Sequence, residues 1–271
     1  MRIGIIGTGS MGGMLAKAWA TAGKAEVFVY NRTPEKAREL ARQVPRIHVA
    51  ASAQDVARFT DVLVVATRAS DGRVLLNQIG DILAPSQVLA TTISTIPLTE
   101  LETCTRAKVA KVIPSIVQSV QSGVLLVSYG SRFSGPDQEV FESVLGQIAL
   151  PFAVGEDQLR VCSDLTSCGP AFIASILNAW AEAATKTGRI SRGEAEFLIT
   201  HTFTSTANLF LSGLSAADVL QRVTVPGGVT EVGLDVLDGR VRAVFEDLHA
   251  QTEQHSRCKP AVQPLASGQE S

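Results

Sequence analysis

The strongest constraint on this chain is a glycine-rich turn close to its start. The β-branched run Ile3–Ile6 passes directly into Gly7-Thr8-Gly9-Ser10-Met11-Gly12, which opens a helical stretch of Ala, Leu, Lys and Trp. In a G-x-G-x-x-G turn of this kind the first glycine makes the tight bend. The second lets the backbone approach a diphosphate, and the third lets helix pack on strand. The helix start adds unpaired N–H groups and a partial positive charge, so Thr8, Ser10 and Met11 join the glycines as candidate cofactor contacts. Such turns also arise for steric reasons alone. Placement at the first strand-to-helix junction of a βαβ unit is what makes dinucleotide binding the favoured reading.

That βαβ context continues along the chain. Strand-like runs at Val27–Tyr30, Ile47–Ala50, Val62–Ala66, Val88–Thr91, Val109–Ile113, Val124–Ser128 and Phe152–Val154 alternate with helical patterns such as Met11–Ala22, Pro34–Gln43, Ala53–Phe59 and Gln138–Ile148. Continuous apolar strands separated by helices predict a mostly parallel sheet covered on both faces, an α/β, Rossmann-type, doubly wound fold. After about Asp157 the strand runs stop. Helical patterns occupy Ala171–Thr187, Ser191–Ser212 and Ala216–Arg222, and a last amphipathic helix is expected over Leu234–Gln254. The expected domains are a nucleotide-binding domain at 1–157, an all-α domain at 158–255, and a disordered tail at 256–271 that is poor in large side chains.

The end of the second strand distinguishes two related cofactors. An acidic residue there binds ribose hydroxyls and repels a 2′-phosphate. This chain has Tyr30-Asn31-Arg32-Thr33 instead, with no carboxylate. Arg32 can hold a phosphate through paired hydrogen bonds, with Asn31 and Thr33 as further donors, so the chemistry favours NADP(H) over NAD. A plainer reading has Arg32 and Thr33 capping the helix that Pro34 begins.

Composition narrows the partners. With 24 Lys and Arg against 26 Asp and Glu the chain lacks the basic surface of a nucleic-acid binder, and a small-molecule partner is expected. Cys104, Cys162, Cys168 and Cys258 form no C-x-x-C pair, and the four histidines show no metal-ligand spacing, so neither disulfide framework nor metal site is expected. The best membrane candidate, Ala171–Ala184, contains Asn178 and Glu182 and falls short of the roughly 20 apolar residues a span requires. The strand that follows Met1 leaves no room for a signal peptide, and the expected compartment is the cytoplasm.

Two motifs lie in the second half: Ser167-Cys168-Gly169-Pro170-Ala171-Phe172 entering a long apolar helix, and Val223-Thr224-Val225-Pro226-Gly227-Gly228-Val229-Thr230 entering another. With the first-turn fingerprint and Lys111-Val112-Ile113-Pro114-Ser115, they make the chain resemble the pyrroline-5-carboxylate reductase family over nearly its whole length, in particular its late-competence ComER-type branch. The resemblance implies NADPH-dependent reduction of the cyclic imine Δ1-pyrroline-5-carboxylate to L-proline. It implies that Thr230 hydrogen-bonds the ring nitrogen as the catalytic side chain, and that Cys168, Gly169 and Pro170 pack near the nicotinamide. It also places Ala66 and Thr67 on the cofactor, in the loop where the family commonly has V-K-P.

The physical chemistry is compatible with these roles. A protonated imine is already electrophilic, so hydride delivery needs alignment more than a strong protein acid. The substrate carboxylate needs positive potential, which the N–H groups of Gly227, Gly228, Val229 and Thr230 at a helix start can supply. Taken alone, Pro226-Gly227-Gly228 reads as an interhelical turn with Thr230 as a cap.

The chain departs from the family at Val225, where a serine is usual, at Gly213, where some members carry an acid, at Ser115 in place of Asn, and at Arg68. A lost hydrogen bond costs about 0.5–1.5 kcal/mol, so Val225 alone should weaken substrate binding without abolishing turnover. Two other readings stand beside the reductase: an NADP-binding regulatory protein, and a β-hydroxyacid dehydrogenase-like enzyme using Lys186. Phe172, Ile176, Trp180, Phe197, Phe203 and Phe210 are more apolar surface than a small helical domain can hide, which predicts a homodimer built from these helices.

Overall fold

A computed structural model describes residues 1–257. The chain divides into two compact units, the first ending at Pro170 and the second beginning at Ala171.

The first unit alternates strands β1 (Arg2–Ile6), β2 (Glu26–Tyr30), β3 (Ile47–Val49), β4 (Val62–Val65) and β5 (Val88–Thr91) with helices α1 (Ser10–Ala22), α2 (Pro34–Gln43), α3 (Ala53–Phe59) and α4 (Ala69–Ile79). Helix α5 (Leu98–Cys104), strands β6 (Lys108–Ile113) and β7 (Val124–Tyr129), helix α6 (Gly135–Leu145), strand β8 (Leu150–Ala153) and helix α7 (Leu159–Thr166) complete it. The strands form one sheet in the order β3-β2-β1-β4-β5-β6-β7-β8. Every pairing is parallel except β6 with β7. This is the mostly parallel, doubly wound sheet that the sequence predicts.

Alternation along each strand sends side chains to two separate cores. Ile3, Ile5, Val62 and Val64 join Leu15, Trp19 and Phe141 on one face, while Leu63, Val65 and Leu89 join Val56, Leu76, Ile79 and Leu101 on the other. Trp19 is fully buried and its Nε1–H donates to the Val144 carbonyl at 3.0 Å, so its one polar group is satisfied inside the core. Strand order reverses between β1 and β4. The loops after β1, β2, β4, β5 and β6 therefore lie along one rim, where such sheets bind ligands.

The second unit is helical: α8, which starts at Gly169 and runs to Thr185, α9 (Arg192–Leu211), α10 (Ala216–Val223), α11 (Val229–Leu237) and α12 (Arg240–Arg257). Side-chain and backbone capping boxes start α9 at Ser191 with Glu194 and α10 at Ser215 with Asp218. One expectation is corrected. The single helix anticipated over Leu234–Gln254 is broken at Asp238–Gly239, because Gly239 takes φ +69° and the Asp238 carboxylate accepts its N–H at 3.0 Å. The last helix runs to Arg257; the rest of the tail anticipated from 256 lies outside the described residues. Among the described residues no helix is long and apolar enough to cross a membrane.

Candidate active-site elements

The turn after β1 has the backbone its glycines were expected to supply. Gly7 sits at φ +98°, and a Cβ there would lie 2.5 Å from the Ala66 carbonyl oxygen. A Cβ on Gly12 would lie 1.9 Å from the Gly7 carbonyl oxygen, so the first turn of α1 rests directly on the strand exit. Gly9 is extended, has no atom within 4 Å of its Cβ position, and precedes α1 as an N-cap without a side-chain bond. With no acidic residue in that first turn, the helix start keeps its positive potential for an anion. Backbone bonds from Gly7 to Tyr30 and from Ala66 to Ile6, both 2.9 Å, fix the three rim loops to one another.

The loop after β2 divides its labour in a way the sequence did not reveal. The Asn31 side chain accepts the Thr8 N–H at 2.9 Å and donates to the Thr33 carbonyl at 3.0 Å. Arg32 instead projects outward, 85% exposed, with its guanidinium 3.4 Å from Asp71. Thr33 occupies the N-cap of α2 without a side-chain capping bond, and Pro34 follows in the first turn. Across the rim, the Thr67 hydroxyl donates to the Arg68 carbonyl at 3.3 Å. A groove of about 650 Å³ runs along the flank of α1, lined by Thr8, Gly9, Ser10, Lys17, Thr21 and Gln121. It takes in Thr8, Gly9 and Ser10 of the rim turn but none of Asn31, Arg32, Thr33, Ala66 or Thr67.

Ser167 also reaches this rim from within the first unit. The Ser167 hydroxyl donates to the Pro114 carbonyl at 2.8 Å, just beyond β6. Strand β6 stands three positions from β1 in the sheet, about 14 Å at ordinary strand spacing. The Cys168 N–H caps Ser163 at 2.9 Å, and its Sγ lies 3.7 Å from an Arg160 guanidinium nitrogen that also pairs with Asp164. Gly169 and Pro170 then open α8. Lys111, quoted from the sequence only as part of a motif, is buried in β6; its ammonium pairs with Glu156 and donates to the Ser94 carbonyl at 2.9 Å. Glu156 also accepts the Leu98 N–H at 3.0 Å. Beyond β6, the Ser115 N–H is bonded by the Gln118 side chain.

In the second unit the Val225–Thr230 segment forms a turn into α11. Gly227 is at φ +71° and Gly228 is the N-cap. The four N–H groups expected to face a carboxylate differ in availability: that of Gly227 donates to Glu231 Oε2 at 2.7 Å and that of Gly228 to the Val225 carbonyl at 2.8 Å. Those of Val229 and Thr230 begin the helix, where no intrahelical acceptor exists, and have no partner among the described residues. The Thr230 side chain is exposed. Lys186 lies beyond the end of α8, largely exposed and 3.7 Å from Glu182, which is no setting for a buried catalytic lysine.

Comparison with known proteins accounts for both halves. Residues 156–258 match the family model for pyrroline-5-carboxylate reductase dimerisation, and residues 2–94 match that for NADP oxidoreductase coenzyme F420-dependent. The chain is 28% identical over 262 residues to ComE operon protein 4 of Bacillus subtilis, covering 94% of this chain and 96% of that protein. The chain is thus similar to pyrroline-5-carboxylate reductases along nearly its whole length. Pyrroline-5-carboxylate reductase 3 of the same bacterium is 26% identical over 256 residues, covering 93% of this chain and 94% of that one. A solved pyrroline-5-carboxylate reductase from Coxiella burnetii shares the fold with TM-score 0.86 at 24% identity, over 94% of this chain and 97% of the other. These matches make the protein an NAD(P)-dependent oxidoreductase with NADP(H) as its cofactor, and its second half matches a dimerisation domain.

Proposed function

We propose that the protein reduces Δ1-pyrroline-5-carboxylate to L-proline with NADPH, acting as a homodimer in the cytoplasm. In this reading residues 1–157 bind the cofactor, and residues 158–255 bind the imino acid and the second subunit. The observation that carries it is the Pro226–Thr230 turn, where a glycine at positive φ leads into a helix whose first two N–H groups are unpaired.

The residues on the rim fit NADP(H). Gly9 opens onto free space, α1 starts without an acidic cap, and Arg32 is exposed where a 2′-phosphate would be met. When bound, the reduced nicotinamide supplies a hydride. The N-terminus of α1 holds the diphosphate, and Arg32 holds the 2′-phosphate through a planar fork of donors. Ala66, Thr67, Cys168, Gly169 and Pro170 line the rim toward the reacting ring. The Val229 and Thr230 N–H groups hold the substrate carboxylate, with Gly227 and Gly228 shaping the turn. The Thr230 hydroxyl hydrogen-bonds the ring nitrogen and keeps the imine aligned, so the reaction calls for no covalent intermediate on Cys168.

Purified protein given pyrroline-5-carboxylate should consume NADPH and form proline in equal amounts. Tight NADPH binding without turnover would favour the regulatory reading instead, to which Val225 and the Glu231 contact with Gly227 lend weight. Thr230→Ala should lower turnover about tenfold to a hundredfold with cofactor affinity unchanged.

A further inference from the structure

The side chain of Asn31 stands between the two loops that the proposed cofactor must grip at once. Its Oδ1 accepts the N–H of Thr8, inside the diphosphate turn, and its Nδ2 donates to the carbonyl of Thr33, at the head of α2. An amide is the side chain of this length that can accept on one side and donate on the other. A carboxylate could still receive the Thr8 N–H but would face the Thr33 carbonyl oxygen with no proton to give. The Thr8 residue so held is itself 8% exposed, and its hydroxyl has no hydrogen-bond partner among the described residues, so the backbone bond to Asn31 is the polar contact that fixes it there.

Two consequences follow from this geometry. With its N–H occupied, Thr8 is removed from the set of anion donors, and the free donors of the turn begin further on, at the start of α1. With the Asn31 side chain turned toward the diphosphate turn, Arg32 beside it is directed outward, as its 85% exposure records.

We propose that Asn31 is a positioning residue that couples the diphosphate turn to the 2′-phosphate loop, and that it acts on both nicotinamide cofactors without itself discriminating between them. Discrimination belongs to Arg32. This rests on the NADP(H) site proposed above and adds to it a role for a residue whose amide could otherwise serve as one more phosphate donor.

Dissociation constants for NADPH and NADH, measured by fluorescence titration of the full-length protein, separate the roles. Asn31→Ala should weaken both cofactors by a similar factor, about fivefold to a hundredfold for two hydrogen bonds of ordinary strength, leaving their ratio unchanged. Arg32→Ala should weaken NADPH alone. Asn31→Asp should keep the Thr8 contact but place a negative charge beside the phosphate, so that NADPH suffers far more than NADH. Loss confined to NADPH in Asn31→Ala would make Asn31 a direct phosphate ligand and overturn the proposal; so would unchanged affinity for both.

Hydrogen exchange at the Thr8 amide gives a readout independent of cofactor. It should be protected in the wild-type protein and in Asn31→Asp, and exposed in Asn31→Ala with the rest of β1 and α1 still protected. Equal Thr8 protection in wild type and Asn31→Ala would remove the clamp. A wild-type protein that shows Thr8 protection yet binds neither dinucleotide would support the clamp and sink the cofactor reading.

Discussion

In the first unit Ile3, Leu15, Trp19, Leu63, Leu76 and Phe141 are sealed from solvent on the two faces of the sheet, whereas in the second the buried apolar residues are Ala181, Ala195 and Ile199. There the larger side chains Trp180, Phe197, Phe203 and Phe210 remain exposed in the single chain. A sheet with a helical layer on each face closes its own core, but helices that are apolar around much of their circumference cannot all face inward. The first unit thus carries its stability within one chain. The second leaves large apolar side chains uncovered, which fits the dimerisation domain it matches.

The sharpest way to break this contrast is to put a charge into the exposed apolar surface. Trp180→Glu should weaken self-association at least a hundredfold, by removing an aromatic anchor and burying a carboxylate. Light scattering should then report a monomer at micromolar concentration, with the first unit's melting and NADPH affinity unchanged. A dimer that persists would place the interface elsewhere.

The reciprocal change acts inside the first unit. Gly12→Ala places a methyl 1.9 Å from the Gly7 carbonyl and forces α1 off the strand. A loss of about 2–3 kcal/mol in a denaturant titration is expected, together with loss of NADPH binding and no change in self-association. Lys111→Met asks how much of that unit depends on its buried cation. Glu156 is partly exposed and can recover hydration, so a loss nearer 1–2 kcal/mol is expected, below that for a fully buried pair.

Much of this contrast is legible in the amino-acid sequence. The strand runs, the helix periods and the G-x-G-x-x-G spacing are local patterns, and they yield the doubly wound sheet and the turn geometry with it. Three things are not local. The amphipathic period runs through Asp238–Gly239, so only the left-handed backbone of Gly239 reveals the break. Lys111 enters the sequence reading only as part of a motif, and its burial depends on Glu156, distant in sequence. Asn31 reads as a phosphate donor because the direction of an amide depends on Thr8 and Thr33, which the fold brings to its two ends.

The smallest effect sharpens the same comparison on its electrostatic side. Hydrogen bonds from Lys108 and then from Ser134 hold the Asp137 carboxyl down at about 2. Because the folded form titrates below the unfolded one, the stabilisation is complete above the ordinary Asp value of about 3.9 and is lost as pH falls through about 2. A carboxyl NMR titration should place Asp137 near 2 in the wild type and move it back toward the ordinary value in Lys108→Ala. The second unit, which lacks this pair, should show no matching change.

The joint at Asp238–Gly239 has an engineering consequence. It makes the nine-residue helix that begins at Val229 a cartridge, bounded by the Thr224–Gly228 approach on one side and a hinge-like glycine on the other. Libraries that exchange residues 224–237 to probe the proposed substrate turn need not rebuild the long helix that follows.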